Sequence, residues 1–297
     1  GRVAAAYPEA KGIIFVGESC QFPSKDERVL PYCYWEKDKI ATHRKKGDRR
    51  PLAGWFPCRD YPDWLNAVKA AIRAQAPNME IVFWSYNWGY HDEKERLALL
   101  NALPRDVTLQ ATFEMFEKFT KRNGLPSRVA DYSLTYVGPG NYFASEAKEA
   151  QKLGMKMYAM SNTGGHTWDF GTIPFDPFPY QWKKRFDAVV KAHVDWGLAG
   201  LMENHHYGWW PSFVSELAKA SYWTPGPSSE ETCEAIARRD FGQDGAPFAL
   251  SAWRAWSEAI NDYVPTNEDQ YGPFRIGPSY PLVFKSVPTF PIASHAM

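Results

Sequence analysis

The sequence predicts an α/β fold that is part of a (β/α)₈ TIM-type barrel, incomplete, with strands 4–8 present and helices closing the chain. Three observations lead to that prediction. Apolar runs of strand length alternate with amphipathic stretches of helical period through most of the 297 residues, and such alternation requires a parallel sheet with crossover helices. No Gly-rich phosphate loop follows the first run, which counts against the alternative of an open, doubly wound sheet. Polar and aromatic residues gather beyond the C-terminal end of every run, where a barrel assembles its site, and the opposite ends are bland.

The elements follow in order. Residues 12–19 (GIIFVGES) form a continuous apolar run, the mark of a strand buried on both faces. A polar excursion occupies 20–60 and includes the basic stretch 44–50, expected to be a solvated loop. Pro62 opens a helix with Trp64, Leu65, Val68 and Ile72 as its apolar stripe. A strand at 80–86, a helix at 92–103 and a strand at 107–114 come next. Residues 132–137 read as a strand in an excursion, before the turn Gly138-Pro139-Gly140. A helix at 142–153 stops at Gly154, and a strand at 155–161 leads into a Gly- and Pro-rich loop. Trp182, Phe186, Val189, Val190, His193 and Val194 define an amphipathic helix ended by Gly197, and 198–204 is a strand. A helix begins near Pro211. Two more close the chain, one capped by Ser228 and Glu231, the other carrying Leu250, Trp253, Trp256 and Ile260. Five βα units against the eight of a closed barrel predict that the first three strands are missing and that this sequence is cut from a longer protein. The expected division is 1–225 as the C-terminal part of a catalytic barrel, 226–265 as a helical extension, and 266–297 as an irregular tail or linker.

Charge narrows the partners. Basic and acidic residues balance at 34 each, so no basic stripe points to nucleic acid. No apolar run is long enough for a membrane helix, and no signal peptide is seen at residue 1, which favours the cytoplasm. Four cysteines are too few for a disulfide scaffold in a chain this long. Cys20, Cys33 and Cys58 lie in or beside the first long loop; zinc binding with His43 and a disulfide are both open, and free thiols are expected. His193 is expected in the core, His43 and His295 on the surface.

The chemistry concentrates at strand ends. Glu18, Glu114 and Glu203 each follow an apolar run. A glycosidic bond needs one carboxyl to protonate the leaving oxygen and a second as base or nucleophile. Burial beside tryptophan raises the acid's pKa into the working range. Each glutamate has a structural alternative, pairing with an arginine or capping a loop. Aromatic content of 16% supplies surfaces that stack on sugar faces, and amides and imidazoles donate to hydroxyls. The expected substrate-binding residues are Trp84, Tyr86, Asn87, Trp88, Asn162, His166, Trp168, His205, His206, Tyr207, Trp209 and Trp210. Trp64, Trp182, Trp253 and Trp256 recur at helical spacing and are expected in the core.

The strings GESC, FWSYNWGY, SNTGGHTWDFG and MENHHYGWWPSFVSELAKASYW resemble a bacterial group described as glycoside hydrolase family 20-like, over most of residues 10–265. In family 20 the fourth barrel strand ends in an Asp-Glu pair; the Glu is the acid and the Asp orients the substrate's acetamido group. The resemblance places Glu18 as that acid. Gly17 stands where the family has Asp, a departure that puts acetamido-assisted catalysis in doubt. It further implies that Tyr207, Trp209 and Trp210 wall the sugar pocket, and that three strands lie upstream.

A glycosidase is therefore expected, with Glu18 as general acid and Glu203 or Glu114 as partner, a carbohydrate as its substrate, and no cofactor or metal. Incomplete, the chain alone need not be active. The alternatives are a non-catalytic carbohydrate-binding barrel and a metal-dependent hydrolase using His166, Glu203 and His205 or His206. Vicinal histidines on an extended segment point to opposite faces, so at most one of the pair faces a site directly.

Overall fold

In the computed structural model, the residues described are 2–18, 24–32, 36–129, 132–162, 177–203 and 211–263. The helices are α1 (Arg2–Ala6), α2 (Lys37–His43), α3 (Tyr61–Arg73), α4 (Glu93–Ala102), α5 (Asn141–Lys152), α6 (Pro179–Trp196), α7 (Phe213–Tyr222) and α8 (Ser229–Ala259). The strands are β1 (Gly12–Val16), β2 (Glu80–Trp84), β3 (Thr108–Thr112), β4 (Lys118–Thr120), β5 (Pro126–Arg128), β6 (Met157–Met160) and β7 (Gly200–Met202). Among the described residues no helix is long and apolar enough to cross a membrane.

Five strands form one sheet in the order β1-β2-β3-β6-β7. The β1–β2 and β2–β3 ladders are parallel. Leu109 N–H donates to the Lys156 carbonyl and Phe113 N–H to that of Met160, so β6 runs parallel to β3; Ala199 to Met157 and Ser161 to Met202 extend the pattern to β7. Strand order follows chain order without the reversal that a doubly wound sheet requires at its switch point. The long α-helical crossovers are what parallel neighbours demand.

The chain divides into two compact units. The first takes the described parts of Gly1–Thr112, Tyr142–Ala159 and Trp196–Gly200; the second takes those of Phe113–Asn141, Met160–Asp195 and Leu201–Met297. In the first, Ile81 and Phe83 of β2, Leu109 and Ala111 of β3, and Leu65 of α3 are all fully buried. Every residue of β3 is buried, as a strand covered on both faces requires. β1 departs from that expectation. Ile14 and Val16 are 43% and 40% exposed, because β1 stands at the end of the strand order.

The second unit is centred on a cluster that joins Trp182 and Phe186 of α6, Val214 and Leu217 of α7, and Ile236 and Trp253 of α8. The side chains of Ser228 and Glu231 cap α8 reciprocally, as the sequence predicts. The two closing helices are one element broken at Gly242, whose φ of 73° and ψ of 176° are not helical.

Several expectations are corrected. α6 buries Trp182, Arg185, Phe186, Val189 and Ala192, a stripe rotated away from the predicted one, so His193 and Val194 face solvent. Trp256 is 47% exposed, on the outer side of α8. Residues 132–137 form no strand, because side chains satisfy the backbone locally: Ser133 Oγ accepts from Thr135 N–H, and Arg185 donates to the carbonyls of Ser133, Tyr136 and Val137. α2 and the β4–β5 hairpin went unpredicted.

Candidate functional site around Glu18

Glu18 lies two residues beyond the last residue of β1. Its side chain is half-buried, and burial raises its pKa above the ordinary 4.5, partly offset by a hydrogen bond from Asn87. That bond runs from Asn87 Nδ2 to Glu18 Oε1 at 2.5 Å. Tyr90 shares the neighbourhood; burial and the Glu18 charge push its phenol up to about 12. Its hydroxyl donates to the Trp55 carbonyl at 2.9 Å. His91, half-buried, contacts the same carbonyl through Nε2, and burial lowers its pKa. Sequence reasoning singled out neither Tyr90 nor His91, although both sit in the aromatic string after β2.

The floor beneath Glu18 is closed. Gly17 packs so tightly that a Cβ there would lie 2.9 Å from the Trp84 carbonyl oxygen and 3.1 Å from the Trp88 ring. No side chain fits at position 17 without backbone movement. Trp88 is 1% exposed and packs edge-on against Tyr61 at 5.3 Å. Its indole N–H is buried with no hydrogen-bond partner among the described residues. Trp84 is 3% exposed, and its N–H donates to Thr112 Oγ1. Both indoles thus wall the site from behind and present no open face to a sugar, contrary to expectation. Trp84 ends β2 and Trp88 opens the short helical turn after it, and both are turned inward, where large apolar surface gains most from burial. Tyr86 is partly exposed and contacts Trp84 at 4.8 Å.

The turn after β2 is anchored from within its own unit. Ser85 is fully buried; its Oγ donates to Glu146 Oε2 at 2.6 Å. The Tyr142 hydroxyl donates to the Ser85 carbonyl at 2.6 Å. Arg96 of α4 pairs with Glu146 at 3.0 Å and lies over the Tyr142 ring. Burial raises the Glu146 pKa against the opposing pull of Arg96. Such a satisfied network holds a turn rigidly, two residues before Asn87.

In the second unit, Glu114 adopts the arginine-paired alternative. It is fully buried, accepts the Ser133 N–H at 2.9 Å, and pairs with Arg185 at 3.3 Å. Arg185, itself 1% exposed, also donates to the Ser161 carbonyl at 2.7 Å. Asn162 follows, 4% exposed and left-handed at φ 52°. Glu203 comes directly after β7 and is partly buried. His166, Trp168, His205, His206, Tyr207, Trp209 and Trp210 lie outside the described residues.

Among the described residues no group of three His, Cys, Asp or Glu side chains is placed to hold a metal. Cys58 and Cys233 are free and buried, and burial pushes the Cys58 thiol up to about 12. Cys20 and Cys33 lie outside the described residues. No family model, no curated protein and no solved structure matches the chain.

Proposed function

We propose that this chain is the C-terminal part, strands 4–8, of a (β/α)₈ glycoside hydrolase, similar to the family 20-like group, with Glu18 as general acid. The observation that carries the reading is the environment of Glu18: a strand-end carboxyl, half-buried, raised in pKa by burial and, among the described residues, held by one neutral amide. A carboxyl whose pKa is raised keeps its proton to higher pH and donates it to the leaving glycosidic oxygen as the bond breaks. Parallel strands in unreversed chain order support the barrel. Glu114, paired with Arg185 within the core, does not serve as the second carboxylate, base or nucleophile. With position 17 closed to any side chain, the substrate is a glycoside whose cleavage does not rely on an Asp orienting a 2-acetamido group.

The test is hydrolysis of a glycoside panel, with and without 2-acetamido substituents, by the full-length protein and its Glu18→Gln variant. Turnover falls by about 10²–10⁴-fold in the variant, and sugar binding is retained. Undiminished turnover in Glu18→Gln removes Glu18 from the mechanism. Binding without hydrolysis across the panel replaces the enzyme with a carbohydrate-binding barrel.

A further inference from the structure

We infer that Asn87 is a positioning residue, whose left-handed backbone aims its side-chain amide at the Glu18 carboxyl and holds that carboxyl in place. The contact joins residues 69 apart in sequence, at 2.5 Å. Asn87 has φ 65° and ψ 0°, a conformation that glycine adopts at least cost. A turn that needed only this backbone would be served best by glycine. The Asn side chain does not cap the short helical turn at Trp88–Tyr90 that follows. Its use is the bond to Glu18.

The aim is firm because the turn is fixed on both sides. Before it, Ser85 is tied to Glu146 and Tyr142. After it, Trp88 is buried against Tyr61 and Phe83. A side chain supported in this way keeps its geometry through a reaction. The neighbours that act on Glu18 among the described residues are this amide and the Tyr90 phenol, whose own titration feels the Glu18 charge; the Tyr61 hydroxyl approaches the Gly17 carbonyl. An amide N–H bonds more strongly to a carboxylate than to a carboxylic acid, so Asn87 opposes burial and sets where Glu18 changes charge.

The kinetic consequence rests on the proposed role of Glu18; the titration does not. The experiment follows the Glu18 carboxyl carbon by NMR against pH in the wild type and Asn87→Gly, with Glu18→Gln assigning the signal. Glycine keeps the backbone comfortable and removes only the amide. The Glu18 midpoint moves up by about one pH unit in Asn87→Gly, and the matching limb of the kcat/KM profile moves the same way, with kcat falling more than KM changes. Asn87→Asp sets a second carboxylate against the first and drives the upper step of the pair higher still; it serves equally if the glycine variant does not fold. An unmoved or lowered midpoint in Asn87→Gly overturns the inference. If the midpoint rises but no glycoside is cleaved by the wild type, positioning stands and the hydrolase reading falls. If cleavage is robust and the midpoint stays fixed, positioning alone falls.

Discussion

Glu18 and Glu114 occupy equivalent places in their local sequences, each two residues past the end of an apolar strand, yet their surroundings are opposite. Glu114 is sealed, with a guanidinium and a backbone N–H satisfying its oxygens. Glu18 is half-buried and, among the described residues, meets one neutral amide. The difference lies in Arg185, which α6 turns onto its buried face 71 residues from Glu114. A buried cation makes a strand-end carboxylate structural. Partial burial with no cation among the described neighbours leaves its proton available for chemistry.

That contrast is sharpest at Arg185. Arg185→Met leaves Glu114 buried without its counter-ion and is expected to cost about 3–5 kcal/mol in urea denaturation. A cost below about 1 kcal/mol contradicts the structural role given to Glu114. Gly17→Ala probes the other site. Its Cβ meets a backbone oxygen that cannot swing away, and the expected loss is about 1–3 kcal/mol; a neutral effect means that the floor under Glu18 is looser than described. The smallest effect concerns pH. Because the folded pKa of Glu18 is raised, its favourable contribution is full below 4.5 and is lost as pH rises through the folded value. Relative to wild type, Glu18→Gln therefore gains stability as pH goes from about 4 to about 8. Parallel stability curves for the two proteins deny the raised pKa.

Much of the fold was legible. β2 is apolar from Ile81 to Trp84, and such a run in the middle of a sheet means burial on both faces. Pro62 sits in the first turn of α3, and the Ser228–Glu231 cap marks the start of α8. These signals are local. The face of α6 was misjudged because Arg185 reads as a surface residue until its acceptors, four carbonyls and a carboxylate, are brought to it by folding. Trp84 and Trp88 read as site residues because aromatic density at a strand end does not tell whether an indole turns inward or toward the site. β1 has the composition of a buried strand but leaves Ile14 and Val16 exposed. Of the candidate site, Glu18 and Asn87 were both singled out by position, but the amide-to-carboxyl contact between them was not, since nothing local couples residues so distant in sequence.

The most direct test is the titration of Glu18 itself in the unmodified protein, read from its carboxyl carbon shift. A midpoint above 4.5 is predicted, the mark of a carboxyl whose burial outweighs its one hydrogen bond. A midpoint at or below 4.5 contradicts the account, because an ordinary or depressed carboxylate has no proton to give at the pH where the proposed reaction runs.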